Sequence, residues 1–183
     1  MSTTANVLPG LSNRPDATRA ARSIGTVDTL IDTLAQWLMP LADLLARWWV
    51  AAAFFNSGLT KTLTGSATWF GHTFSYPLSL FPTDSTFTLF RYEYHVPLLS
   101  PTLAAYLGTA AELILPVFLL LGLAGRYAAL ALFIFNIIAA LSYPDLQPAG
   151  LDDHKVWGIL LLLTFCHGPG KLSLDYLLSR RVR

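Results

Sequence analysis

One acidic residue, Glu112, lies near the middle of an apolar stretch, residues 101–122, that has about the length of a membrane-spanning helix. An ionisable group is costly inside a bilayer, and by default it is read as part of a functional site. Pro116, four residues further on, has no N–H to offer the carbonyl of Glu112, so a backbone acceptor at the same depth also lacks its helical partner. We therefore expect neighbouring helices to satisfy this point, which is the candidate centre of the protein.

Three other polar residues are predicted to lie near Glu112. At 1.5 Å per helical residue, Glu112 and Asn136 are about 15 Å deep in their helices, and Asn56 is about 10 Å below the outer end of its own. Lys61 lies near that outer end. Because side chains lean toward the N-terminus of their helix, Glu112 and Lys61 lean toward each other. The predicted site is a Glu112–Lys61 pair or water-linked network, with Asn136 and Asn56 close by.

This cluster has two interpretations, and the sequence leaves both open. In the first, it is a proton-responsive or ligand-binding centre. In the second, it is an internal hydrogen-bonded staple that only holds the helices together.

A metal site is not predicted. Imidazoles and carboxylates can bind a divalent metal, and three histidines are expected on the outer face, but no two of them have ligand spacing. They are weak candidates only: His72, His95 and His154. The single cysteine, Cys166, excludes an intramolecular disulfide and a CxxC redox pair. The chain also has no haem-ligand pair at matched depth and no dinucleotide fingerprint.

Composition indicates an integral membrane protein. Of 183 residues, 54% are hydrophobic and only 13% are charged, whereas a soluble domain has about 25% charged residues. The net charge of +1 argues against nucleic-acid binding, because there is no basic surplus to displace counterions. The expected partner is the lipid bilayer.

The predicted fold is all-α, a transmembrane four-helix bundle preceded by an amphipathic helix. Residues 1–26 are predicted to be a disordered cytoplasmic tail, and residues 27–183 a single membrane domain. The amphipathic helix from Val27 is expected to lie along the membrane surface and to break at Pro40, or else to extend the first span. The fourth span is short, about 24 Å long. The spans are approximately residues 41–63, 102–122, 127–143 and 152–167.

The long loop after the first span, residues 65–100, is rich in aromatic residues. Because burial of aromatic rings is favourable, we expect it to fold back as a cap on the outer end of the bundle. Residues 88–96 alternate between apolar and polar side chains, which predicts a short strand or hairpin. The polar face of this cap would carry Arg91, Glu93 and His95.

The distribution of basic residues predicts the orientation. With four spans, both termini and the turn after the second span share one side, and that side has the excess of lysine and arginine expected of the cytoplasm. It carries Arg14, Arg19, Arg22, Arg126, Lys171, Arg180, Arg181 and Arg183, against Lys61, Arg91 and Lys155 on the other. The expected location is the bacterial inner membrane, with both termini cytoplasmic.

Four short motifs, in order, resemble the DoxX family of small four-span membrane proteins. They are residues 58–61 (GLTK), 90–94 (FRYEY), 111–113 (AEL) and 121–123 (LGL) followed by Arg126. The resemblance covers roughly residues 45–170, and the second motif looks closest to members encoded beside genes for modified, metal-binding peptides. It implies a membrane subunit linked to redox complexes, including quinone-coupled ones, with a membrane or periplasmic protein as partner.

Three functions therefore remain as expectations. The first is an accessory subunit of a redox or quinone-linked complex, whose Glu112 site binds a quinone-like or other small apolar ligand. The second is a small proton-coupled transporter in which Glu112 titrates. The third is a structural membrane scaffold, and no enzymatic reaction is predicted.

Overall fold

The computed structural model describes the backbone of residues 15–181 and the side chains of residues 27–181. The predicted tail therefore lies partly outside the described residues, and the division at residue 26 stays a prediction. The fold is mainly helical, as the sequence predicted. In chain order the elements are α1 (Pro15–Leu59), β1 (Thr62–Trp69), β2 (His72–Pro82), α2 (Asp84–Tyr92), α3 (Pro101–Leu121), α4 (Gly125–Ser142), α5 (Pro148–His167) and α6 (Leu174–Arg181).

Three of the described helices are long and apolar enough to cross a membrane: Val27–Leu59 within α1, Pro101–Leu121 and Gly125–Ser142. Helix α5 does not reach that composition, although its 20 residues would extend about 30 Å. The predicted fourth crossing therefore stays a prediction.

Helix α1 passes through Pro40 without interruption, so the predicted break there is wrong and the alternative of a longer first helix is correct. A proline in an apolar helix is tolerated where neighbouring groups satisfy the freed carbonyl. The chain divides into two compact units at this proline, Met1–Met39 and Pro40–Arg183. All contacts described below lie within the second unit.

The segment after α1 is folded differently from the prediction. Residues 88–96 are not a strand; most of them belong to α2, because Thr83 caps this helix by accepting a hydrogen bond from Thr86 N–H. The hairpin lies earlier, where β1 pairs antiparallel with β2 from Thr64↔Pro77 to Trp69↔His72. Its turn places Phe70 at φ 47° and Gly71 at φ 77°, the two left-handed residues of a tight hairpin turn.

The core joins α1, α3, α4 and α5 through small and branched side chains, which allow close helix packing in membranes. Gly58 shows how close this packing is, since a Cβ there would lie 2.9 Å from the Leu113 side chain and 3.1 Å from the Glu112 backbone. The buried cluster consists of Val50, Ala51, Phe54, Leu119, Ala128, Ala129, Leu132 and Leu161.

Arg47 ties the other end of the bundle together. Its side chain is buried within the protein, only 1% exposed. Its guanidinium donates to the carbonyls of Leu119 at 3.2 Å, Leu120 at 2.8 Å, and Leu172. The first two lie at the C-terminal end of α3, where Leu119 also accepts from Gly122 N–H at 3.1 Å. Arg47 therefore joins α1, the end of α3 and the chain after α5.

Candidate functional site

The site is built on an ion pair between the end of α1 and the middle of α3. Lys61 Nζ lies 2.6 Å from Glu112 Oε2, and both side chains are over nine-tenths buried. Ser57 Oγ donates to Glu112 Oε1 at 3.1 Å and accepts from Lys61 Nζ at 2.9 Å. These three side chains form one closed network at the helix–helix contact.

The local backbone explains why Lys61 points to Glu112. Lys61 follows the last turn of α1, and its N–H still bonds the carbonyl of Gly58 at 3.1 Å. Its own carbonyl accepts from Thr83 N–H at 3.1 Å and from Thr86 Oγ1 at 2.7 Å. The first residues of α2 are thus held directly against the lysine.

A cavity of about 480 Å³ opens beside this network, within the size range of small-molecule sites. Its walls are mostly apolar, and polar groups reach it at separate places. The polar groups on its lining come from Ser57, Lys61, Tyr94, Glu112, Ser142, Tyr143, His154 and Trp157, and its apolar walls include Phe54, Leu107, Leu115 and Phe135.

Three aromatic residues, Phe90, Tyr94 and Tyr143, line one end of the cavity and are called the roof below. Phe90 stacks on Tyr94 with ring centroids 4.8 Å apart, and Tyr94 stacks on Tyr143 at 5.1 Å. The N–H of His95 donates to the carbonyl of Ser142 at 2.8 Å, which joins this roof to α4. Burial raises the pKa of the Tyr94 phenol, and the nearby Glu112 carboxylate raises it further. Tyr94 therefore keeps its hydroxyl proton.

A second polar group, on α4 and α5, reaches the cavity from another wall. Asn136 Nδ2 donates to the His154 carbonyl at 2.8 Å, and Asn136 Oδ1 lies 2.7 Å from His154 Nδ1. Ser142 Oγ is buried and has no hydrogen-bond partner among residues 27–181. The cavity is therefore apolar along its length, with the ion pair on one wall and a histidine and a free hydroxyl elsewhere.

The DoxX family model matches residues 42–144 of this chain. That range contains Lys61, Glu112 and Asn136, and it covers more than half of the sequence. The chain belongs to the DoxX family. It is similar to an uncharacterized protein of Haemophilus influenzae, with 29% identity over 145 residues that cover 75% of this chain and 83% of that protein. No solved structure matches the chain.

The structure brings together two of the four residues predicted for the centre of the site, Lys61 and Glu112. Asn136 is buried, as its position in α4 suggested, but it bonds His154 instead of Glu112. Asn56 is exposed and lies against the hairpin. Neither residue bonds Glu112, because the helix faces that carry them meet other neighbours.

The sequence analysis missed Ser57, and it named His154 only as a weak metal candidate. Ser57 is four residues before Lys61, and that spacing puts both on one face of α1; this signal was available. The role of His154 had no such signal, because it lies beyond the DoxX match, at the start of α5, and meets Asn136 only through the packing of α5 against α4.

The predicted cap forms only in part: Phe90 is buried, but most aromatic residues of 65–100 are exposed, namely Trp69, Phe70, Phe74, Tyr76, Phe81 and Tyr92. Arg91, Glu93 and His95 are exposed and do not line the cavity. The same stretch contributes its apolar members, Phe90, Tyr94 and Val96, because α2 and the segment after it turn these inward. The three candidate histidines are not brought together, and no group of three metal-ligating side chains is found among the described residues.

Proposed function

We propose that this DoxX protein binds a small apolar ligand in the cavity beside the Lys61–Glu112 pair, as an accessory subunit of a redox or quinone-linked membrane complex. The observation that carries the proposal is the continuous cavity from the aromatic roof to Glu112. A purely structural contact between the helices would need the ion pair but no cavity beside it. A cavity lined by apolar walls and a few polar groups is the usual form of a small-molecule site.

The chemistry of the lining favours a ring-containing ligand. The aromatic side chains Phe90, Tyr94, Phe135 and Trp157 line the cavity, and rings pack favourably against rings. An apolar tail on the ligand would suit the surrounding bilayer. A quinone has both parts, a planar oxygen-bearing head group and an apolar tail.

The proposed setting is the bacterial inner membrane, with α5 as a fourth crossing and both termini in the cytoplasm. The roof and the hairpin then face the periplasm. The hairpin exposes aromatic side chains at its turn, with Trp69 71% and Phe70 86% exposed, a surface that suits a membrane or periplasmic protein partner. No reaction is assigned to the chain itself.

Fluorescence of Trp157 offers a direct binding assay. Trp157 is the tryptophan on the cavity lining, so a short-chain quinone bound there should quench it. We expect saturable quenching in detergent or nanodiscs that is lost in Trp157→Phe, while quenching of the other tryptophans stays weak and non-saturable.

A matched pair of alanines tests whether the cavity is the site. Ala139 lines the cavity, whereas its equally half-buried neighbour Ala140 does not. Ala139→Phe should fill the space and abolish binding, and Ala140→Phe should bind as the wild type does. Equal binding by both variants would place the ligand elsewhere. Counterflow of a substrate in liposomes, abolished by Glu112→Gln, would instead favour the proton-coupled transporter.

A further inference from the structure

The polar groups of the cavity differ in how much hydrogen-bonding capacity they have left. Lys61 Nζ has three N–H bonds, and three acceptors surround it: Glu112 Oε2 at 2.6 Å, Ser57 Oγ at 2.9 Å and the Ser57 carbonyl at 3.5 Å. The hydroxyl proton of Ser57 is used on Glu112. Neither residue has a donor left for a ligand.

Glu112, in contrast, has hydrogen-bonding capacity left for a ligand. A carboxylate accepts about four hydrogen bonds, and within residues 27–181 two reach Glu112, from Ser57 and from Lys61. Its remaining capacity is purely that of an acceptor. A hydrogen bond to a charged group is roughly twice as strong as one between neutral groups, so the strongest contact that the cavity can still offer is to a donor.

His154 adds a second acceptor. Because Asn136 Nδ2 donates to the His154 carbonyl, the amide oxygen is the atom that faces the imidazole, 2.7 Å from Nδ1. An amide oxygen only accepts, so Nδ1 carries the proton. In the neutral ring Nε2 is then an acceptor, and no hydrogen bond of Nε2 is seen within residues 27–181.

The other groups on the lining are neutral and do not reverse this balance. The buried, unpartnered hydroxyl of Ser142 can donate or accept. The phenols of Tyr94 and Tyr143 are likewise able to do either, and the indole N–H of Trp157 can donate to a carbonyl. These contacts are weaker than one to the Glu112 carboxylate.

We infer that the cavity selects a ligand whose ring carries hydroxyl donors, such as the reduced hydroquinone form of a quinone head group, over the same ring with only carbonyl or ether oxygens. One hydroxyl of the ligand donates to Glu112, and the other donates to His154 Nε2 or to the Ser142 hydroxyl. This inference rests on the proposed function, since it concerns the same cavity. It describes binding only and requires no electron transfer by this chain.

A redox-inert pair of ligands tests the inference. The probes are a 2-alkylbenzene-1,4-diol and its 1,4-dimethyl ether, which share the ring and the tail but differ in their donors. Titration at pH 8, well above the usual imidazole pKa of about 6.5, keeps His154 neutral. We expect the diol to bind the wild-type protein at least about tenfold more tightly, as one hydrogen bond to a charged group predicts.

Two variants test whether Glu112 is the source of the preference for the diol. In Glu112→Gln the charged acceptor is lost, so the ratio of the two affinities should fall to about threefold or less. Asp152→Asn removes a carboxylate from the exposed Lys155–Asp152 pair and should leave the ratio unchanged. The comparison in the wild-type protein stands even where Glu112→Gln does not fold.

The outcomes separate the two proposals. Equal affinities, or a tighter ether, would overturn the inference and leave a binding cavity in place. Binding of neither probe would overturn both. A diol preference that persists in a folded Glu112→Gln protein would exclude Glu112 as its source and overturn the assignment made here.

Discussion

The Lys61–Glu112 pair lies where a single charge is least tolerated, between two helices and over nine-tenths buried. The attraction between the two charges offsets the cost of removing both from water only while both are present. Ser57 completes the network by bonding each partner. At this scale the chemistry and the stability of the site depend on the same three side chains.

Breaking the pair from one side should therefore be costly. We expect Lys61→Met or Glu112→Ala to destabilise the fold by about 3–5 kcal/mol, because each leaves an unpaired buried charge. The double variant Lys61→Met with Glu112→Met should recover most of that loss. The change in stability is measured by thermal unfolding in detergent, with the fraction of monodisperse protein recorded at each temperature.

The exposed pair Lys155–Asp152, with an Nζ–Oδ1 distance of 2.7 Å, is the matched control. Lys155→Met should cost about 1 kcal/mol or less, because water screens an exposed pair. If the buried and exposed single variants melted alike, the network would not be an electrostatic contact at all.

The sequence was sufficient to pair Lys61 with Glu112, because the directions of the two helices make their side chains lean together. It was not sufficient to place Asn56 and Asn136. Depth follows from counting residues, whereas the face of a helix that meets a neighbour depends on packing. The neighbour of Asn136 is α5, whose approach to α4 no local pattern predicts.

At the scale of elements, α2 shows why the cap was predicted only in part. Burial of aromatic residues is favoured by hydrophobicity, and Phe90 is buried, but Tyr92 in the same helix is 69% exposed. The alternation of residues 88–96 predicted a strand, but the helix cap at Thr83 and the favourable charge of Asp84 in the first turn favour α2. Local capping prevailed over a period-two pattern.

Arg47 stabilises the end of the bundle away from the Lys61–Glu112 pair. It donates hydrogen bonds to carbonyls at the end of α3 and to the Leu172 carbonyl after α5. We expect Arg47→Met to lower stability by about 1–3 kcal/mol, the cost of leaving buried acceptors unsatisfied. It should also speed tryptic cleavage at Lys171, because the Leu172 carbonyl loses its donor. Rates of limited proteolysis measure the second effect.

Arg91 provides the control for that experiment, since it is exposed in α2. Arg91→Met should leave both the melting temperature and the cleavage rate near wild type. Unchanged cleavage in Arg47→Met would mean that the chain after α5 is held by other contacts, such as the hydrogen bonds that Ala124 N–H and Gly125 N–H donate to the Asp175 carboxylate at 2.8 and 2.7 Å.

At the scale of the whole molecule, the hairpin follows the end of α1 and α6 follows the end of α5. If α5 crosses the membrane as proposed, the two lie on opposite sides. With Cys166 replaced by serine, Ser75→Cys in the hairpin should react with a membrane-impermeant maleimide in spheroplasts. Ser179→Cys in α6 should react only after lysis, and labelling of both in intact spheroplasts would contradict the proposed orientation.

The cavity beside Lys61 and Glu112 is proposed to hold a small apolar molecule. Mass spectrometry of organic extracts from purified wild-type protein tests it most directly, with Ala139→Phe and Ala140→Phe prepared in parallel. We expect one apolar, ring-containing compound at close to one per chain in the wild type and in Ala140→Phe, and its loss from Ala139→Phe. The same compound at the same level in Ala139→Phe would contradict it.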